Sequence, residues 1–220
     1  MTKIAINGAT GRMGCRLVAL GSADTDLQLV AALDYPGHPK LGTDVGTIAG
    51  VGEIGLSLAA ELPDGVDAVI DFSAPAGAES ITQRCVDQRI PLVMATTGLA
   101  EDQQAMIRTA AQSIPVVWAP NMSLAVNLTM KLSEMAAHAL KGSSADVEIL
   151  ERHHRFKEDA PSGTALKFGE IIAHAMGLTR HVHGREGLTG KRTRDEIGYH
   201  AIRSGDGPGQ QTINFGLRGE

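Results

Sequence analysis

Lys3–Leu20 reads KIAINGATGRMGCRLVAL, and the order of its residue types decides the architecture. Lys3–Asn7 is short, apolar and β-prone. Gly8-Ala9-Thr10-Gly11-Arg12-Met13-Gly14 follows, and Cys15–Leu20 continues as a helix. Glycines in such a turn let it bend tightly, and they let the backbone at the helix start approach a pyrophosphate. The spacing is G-x-x-G-x-x-G rather than the more familiar G-x-G-x-x-G, and alone it also suits a plain β–α turn. Context strengthens it. Leu27–Leu33 reads as a second strand ending at Asp34, about twenty residues past the turn, where a carboxylate can hydrogen-bond the adenosine ribose of NAD. The next residue, Tyr35, offers no charge to a 2′-phosphate. His38, Lys40 and Arg12 are the basic groups near enough to do so. NADH is favoured, with NADPH as the alternative.

Strand and helix patterns keep alternating beyond this point. Leu41–Gly55 is Gly-rich and weakly patterned, which predicts a surface excursion. Val66–Phe72 (VDAVIDF) is a continuous apolar run, suited to a parallel strand buried on both faces. A helix is expected over Ala76–Gln88, a strand over Pro91–Ala95 and a helix over Glu101–Ser113. A strand follows over Val116–Ala119, then a long amphipathic helix over Leu124–Leu140. This alternation predicts an α/β fold, a Rossmann-like doubly wound parallel sheet. The expected division gives a dinucleotide-binding domain over 1–121 and a second domain over 122–220. The second would be an α+β domain with a mixed open sheet.

The second half opens on Val147–Leu166, VEILERHHRFKEDAPSGTAL. Ala145–Glu151 alternates as a strand does, which puts His153 and His154 at the strand end. Asp159-Ala160-Pro161 breaks regular structure. Ser162 then reads as the N-cap of an apolar helix over Ala165–Met176. Open N–H groups at that start, with the Ser162 and Thr164 hydroxyls, suit a carboxylate. Lys157 adds a fixed charge, and a histidine can move a proton near neutral pH. A solvated charged loop before an ordinary helix is the bland alternative. Further on, Ile197–Arg203 reads as a strand, Ser204–Gly209 as a turn and Gln210–Leu217 as the partner strand. His181-Val182-His183 has no carboxylate or thiol partner, so it reads as loop histidines and no metal site is expected.

Composition narrows the class. The chain has 220 residues, 43% hydrophobic, with a net charge of −5. Mild acidity argues against nucleic acid as a partner, and no apolar run approaches a membrane span. Met1–Ile6 runs straight into a strand, so no leader is visible. Cys15 and Cys85 are isolated thiols without redox or metal spacing, which points to the cytoplasm.

Glu151, His153, His154, Lys157, Asp159 and Pro161-Ser162-Gly163-Thr164-Ala165 together form E-x-H-H-x-x-K-x-D-x-P-S-G-T-A. This resembles the signature of the dihydrodipicolinate reductase (4-hydroxy-tetrahydrodipicolinate reductase) family. Asp71-Phe72-Ser73-Ala74-Pro75, Ala95-Thr96-Thr97-Gly98, Ala119-Pro120-Asn121-Met122-Ser123 and Arg185–Gly190 resemble further motifs of that family. Ala74 and Ala95 depart from them, and Gln211 falls where relatives usually carry a histidine. The resemblance implies NAD(P)H-dependent reduction of 4-hydroxy-tetrahydrodipicolinate to tetrahydrodipicolinate, on the diaminopimelate route to lysine. It implies His153 and Lys157 as catalytic, and His154, Ser162, Gly163 and Thr164 as the substrate's holders. It implies cofactor contacts from Gly8, Gly11, Arg12, Met13, Gly14, Asp34, Phe72, Ala95, Thr97, Ala119, Asn121 and Met122. A small dicarboxylate would be the substrate and a homotetramer the assembly. Relatives normally continue for several tens of residues, so a form lacking the C-terminal segment is expected. Two alternatives stay open: a non-catalytic shortened paralogue that binds dinucleotide, and an oxidoreductase for another small acidic substrate.

Overall fold

In a computed structural model, which describes residues 1–219, the chain divides into two compact units, the first Met1–Pro120 and the second beginning at Asn121. The first unit holds six strands: β1 (Thr2–Asn7), β2 (Leu27–Leu33), β3 (Leu58–Ala59), β4 (Ala68–Asp71), β5 (Leu92–Met94) and β6 (Val116–Trp118). They form one sheet in the order β3-β2-β1-β4-β5-β6, every neighbouring pair parallel. Four helices connect them: α1 (Arg12–Ala23), α2 (Val45–Ala49), α3 (Pro75–Gln88) and α4 (Glu101–Ala110). This is the doubly wound arrangement the sequence predicts. Its strand order reverses beside β1, where such sheets hold ligands outside the strands' carboxyl ends. Helices cover both faces, so strand residues such as Ala5, Ile6, Leu33, Val69 and Met94 are buried.

Leu41–Gly55 is mostly exposed, as a surface excursion is, and one side chain orders it. The Asp44 carboxylate accepts the backbone N–H groups of Gly46, Thr47, Ile54, Gly55 and Leu56. That gathers the segment around one anion, forms α2 and buries Val45 against Ile6, Val18 and Leu58. The weak apolar pattern gives no sign of α2, because backbone-to-carboxylate bonds supply the order.

The second unit contains α5 (Leu124–Leu140), β7 (Asp146–His153), α6 (Gly163–Met176), β8 (Arg180–His183), β9 (Glu196–Arg203) and β10 (Gln210–Gly216). Its mixed sheet runs β10-β7-β9-β8. β9 lies parallel to both β7 and β8, while β10 is antiparallel to β7. Gln210–Gly216 is therefore not the hairpin partner of β9, as the sequence suggested. Both edges of β9 are already taken, so the next strand adds at the sheet margin, on β7. His181 and His183 also sit in a strand rather than a loop. Their rings stack near Tyr199 at 5.7 and 5.0 Å, and His181 Nδ1 lies 2.7 Å from the Tyr199 hydroxyl.

Strand alternation sets the core of this unit. Val147, Ile149 and Glu151 of β7 are buried, whereas Leu150 and Arg152 face out. Helix α6 lays Phe168, Ile172 and Ala173 into the same cluster, with Ile197 and Tyr199 of β9 and Met130 of α5.

Candidate active site

The glycine turn is built by close backbone packing. Gly8 has φ +77°, and a Cβ on it would lie 2.7 Å from Ser73 Cα. A Cβ on Gly14 would lie 2.7 Å from Ala9 Cα and nearer still to the Gly8 carbonyl oxygen. Gly11, the N-cap of α1, brings no capping side chain, and no acidic residue occupies the first turn. The leading N–H groups of α1 are thus open to an anion. Arg12 and Met13 stand exposed beside them.

Asp34 closes the next strand. Its Oδ2 accepts the Thr10 hydroxyl at 2.6 Å and the Thr10 amide at 3.2 Å, and its Oδ1 accepts the Tyr35 amide at 3.0 Å. His38 Nε2 lies 3.3 Å from the same hydroxyl, whereas Lys40 is exposed. A cleft of about 380 Å³ opens here, lined by Asn7, Asp34, Tyr35, Ser73, Ala74 and Arg84 among others. Open helix start, acidic strand end and adjoining cleft fit a dinucleotide.

A second carboxylate, which sequence reasoning left without a role, organises the neighbouring loops. Asp71 is fully buried and accepts Asn7 Nδ2 at 2.7 Å, Ser73 Oγ at 2.7 Å and Thr96 Oγ1 at 2.6 Å. Its backbone carbonyl takes the Ala95 amide at 3.0 Å. Phe72, Ala95, Thr97 and Ala119 therefore stand where β4, β5 and β6 end. Thr97 is exposed while Thr96 turns inward to Asp71.

In the second unit, Glu151 and His153 are two apart on β7 and so share a face. His153 Nδ1 lies 2.6 Å from Glu151 Oε2. Glu151 Oε1 accepts the Ser162 amide at 3.0 Å. Arg203, opposite His153 on β9, grips both oxygens, Nη1 at 2.8 Å and Nη2 at 2.7 Å. Burial pushes the Glu151 carboxyl up, but Arg203, His153 and the Ser162 amide outweigh it and hold it below the usual range. It stays ionised at neutral pH.

Ser162 caps α6 as the sequence predicts, its hydroxyl accepting the Ala165 amide at 3.2 Å. Gly163 lies open at the helix start, and Thr164 Oγ1 accepts Asn121 Nδ2 at 3.3 Å. That contact ties Asn121, expected at the cofactor, to the Ser162–Thr164 turn; Met122 is exposed. Lys157 pairs with Asp159 at 2.6 Å rather than standing free. His154 Nδ1 is buried with no hydrogen-bond partner among the described residues. Arg203 carried no local signal in the sequence, because only the β7–β9 register brings it to Glu151.

A glycine-turn Rossmann unit, with a second unit that sets an imidazole beside an open helix start, fits the class of dinucleotide-dependent oxidoreductases. The comparisons narrow the class. The model described as "Dihydrodipicolinate reductase, N-terminus" matches residues 2–122, and "Dihydrodipicolinate reductase, C-terminus" matches residues 125–220. The chain belongs to the dihydrodipicolinate reductase family. It is 56% identical to the 4-hydroxy-tetrahydrodipicolinate reductase of Rhodopirellula baltica, over 99% of this chain and 80% of that protein. It is 47% identical to the enzyme of the same name from Alkalilimnicola ehrlichii, over 100% of this chain and 84% of the relative. Among solved structures, the dipicolinate-bound dihydrodipicolinate reductase from Paenisporosarcina sp. TG-14 matches with a TM-score of 0.74 at 27% identity. That match covers 100% of this chain and 85% of the other.

Proposed function

We propose that this chain reduces 4-hydroxy-tetrahydrodipicolinate to tetrahydrodipicolinate with a nicotinamide dinucleotide, in diaminopimelate and lysine synthesis. The observation that carries the reading is the convergence of His153 and the Ser162 amide on one ionised carboxylate, Glu151. It sets a proton donor and a carboxylate-binding turn side by side. Family membership and the dipicolinate held by the solved relative support the substrate class.

Gly8, Gly11, Arg12, Met13, Gly14 and Asp34 hold the dinucleotide, with Phe72, Ala95, Thr97, Ala119, Asn121 and Met122 as further contacts. When bound, the dinucleotide supplies a hydride. NADH is the preferred form: the Asp34 carboxylate, sited by Thr10 and Tyr35, suits a ribose hydroxyl and repels a 2′-phosphate. His38 beside Thr10 leaves NADPH usable.

Gly163 and Thr164 take one carboxylate of the substrate through the open N–H groups of the helix start, and the Ser162 and Thr164 hydroxyls add to them, the Ser162 amide being held by Glu151. His154, whose Nδ1 lacks a partner, and Lys157, exchanging Asp159 for the substrate, meet its remaining negative charge. His153, with Nδ1–H held by Glu151 and a second hydrogen on Nε2, gives the Nε2 proton to the carbon that gains electron density as the ring is reduced, and the imidazole is left neutral as the Nδ1–H form. The first unit thus serves the dinucleotide and the second the substrate. Subunit contact through the four-stranded sheet, giving a homotetramer, is supported by the family resemblance and by exposed Leu150 and Ile202. A cytoplasmic setting accords with two free thiols. No helix among the described residues is long and apolar enough to cross a membrane.

The test follows NADH and NADPH oxidation with freshly generated cyclic imine. Turnover is expected, falling on the order of 10²–10⁴-fold in His153→Ala. Intact NADH binding without turnover in the parent chain would overturn the reading, and an unimpaired His153→Ala would remove His153 as the acid.

A further inference from the structure

We propose that Glu151 is the positioning residue of this site, its carboxylate clamped by Arg203 so that it fixes the His153 imidazole and the Ser162 turn as one unit. The proposal rests on the reading of His153 as the proton donor.

The carboxylate is saturated. Oε2 meets His153 Nδ1 and Arg203 Nη1, while Oε1 meets the Ser162 amide and Arg203 Nη2. Glu151 is 1% exposed, so none of these bonds is traded for bulk water. An ionised carboxylate is acceptor-only, so Nδ1 must carry a hydrogen and Nε2 becomes the working nitrogen. No hydrogen bond to Nε2 is made among the described residues. Gly209 lies against the ring edge there: a Cβ would fall 2.7 Å from His153 Cδ2 and nearer still to Nε2.

Arg203 extends the clamp. Its Nη2 also donates to the Asp159 carbonyl at 2.7 Å, tying β9 to the turn that leads into Ser162. The Ser204 amide donates to the His153 carbonyl at 3.1 Å, which locks the strand end itself. The bidentate fork resists rotation of the carboxylate, and rotation would move His153 and Ser162 together. Reacting groups lose rate steeply with small displacement, so a shared anchor serves orientation at both ends of the substrate.

The experiment reads the His153 ring tautomer by long-range ¹H–¹⁵N correlation, in the parent chain and in Glu151→Gln. The neutral parent ring is expected as the Nδ1–H tautomer. An Nε2–H ring in the parent overturns the proposal with no variant needed. In Glu151→Gln, whose amide can donate to Nδ1, the Nε2–H form is expected to appear, with kcat down on the order of 10²-fold or more. A kinetic cycle completes the test. The glutamine oxygen can still accept the Ser162 amide, so the loss in Glu151→Gln should pass through His153: added to His153→Ala it costs less than threefold further in kcat, and multiplicative losses overturn the proposal. The two readings fail separately, since an unimpaired His153→Ala removes the acid assignment whatever tautomer Glu151 imposes.

Discussion

Gly14 and Gly21 lie on the same helix, and replacing each by alanine is expected to act with opposite sign. A Cβ at Gly14 would stand 2.7 Å from both Ala9 Cα and Ala9 C, about 0.7 Å short of the ordinary 3.4 Å contact, and closer still to the Gly8 oxygen. All three atoms are backbone, so no rotamer relieves the overlap and the start of α1 must shift. Such overpacking costs about 1–3 kcal/mol. At Gly21 the new Cβ meets only Ile4 Cδ1, at 3.5 Å, which is normal packing. Alanine there should stabilise by about 0.5–1 kcal/mol through helix propensity. Urea unfolding of the first unit's transition reads both: with an m-value of about 1–3 kcal/mol per molar, the midpoint falls by roughly 1 M for Gly14→Ala and rises slightly for Gly21→Ala. NADH titration by fluorescence adds the functional half. Displacing the open amides at the α1 start should weaken binding about tenfold in Gly14→Ala and leave Gly21→Ala unchanged. A Gly14→Ala chain with the parent's midpoint and the parent's NADH affinity would refute both the packing argument and the cradle.

Three further outcomes are expected. Asp34→Ala should weaken NADH by roughly 10- to 100-fold while sparing NADPH, because the lost charge-assisted contact is worth about 1.5–3 kcal/mol; coenzyme titrations that fall equally would remove Asp34 from the ribose. Burial raises the Glu148 carboxyl, but Arg185, His200 and Arg192 outweigh it and bring it to about 2, from 4.5. A folded value below the unfolded one means the stability it supplies is present above pH 4.5 and lost as pH falls towards 2; urea midpoints of Glu148→Gln should therefore show a shallower acid decline than the parent. Burial, with Asp71 nearby, pushes the Cys85 thiol up to about 12, so iodoacetamide at pH 8 should label Cys85 only as fast as the chain opens, and prompt labelling would contradict the packing around it.

Much of the fold was legible because its signals are local. Leu27–Leu33 and Leu124–Leu140 form their elements with the bounds the pattern predicts, and Ser162 caps α6 as its side chain chemistry requires. The glycine turn was legible because tight backbone approach leaves glycines in the sequence. Pairing across the chain was not. β10 joins β7 and Arg203 reaches Glu151 through register between distant strands, which no spacing records. Asp44 organises a segment that read only as a weakly patterned surface excursion, since its partners are backbone amides and those are invisible in composition. Glu151 and Asp71 both stood in quoted motifs, yet each looked like one more acidic residue until burial and partners were known.

Asp71 has a consequence for anyone exchanging parts between relatives. One carboxylate receives Asn7 from the end of β1, Ser73 from the loop after β4 and Thr96 from the loop after β5. These three loops are therefore a single inherited module rather than interchangeable pieces. A transplant that brings in the glycine turn without matching Asn7, Ser73 and Thr96 would leave a buried acceptor short of a donor. The penalty of roughly 1–3 kcal/mol for such a vacancy would appear as poor yield before any change in coenzyme choice became visible.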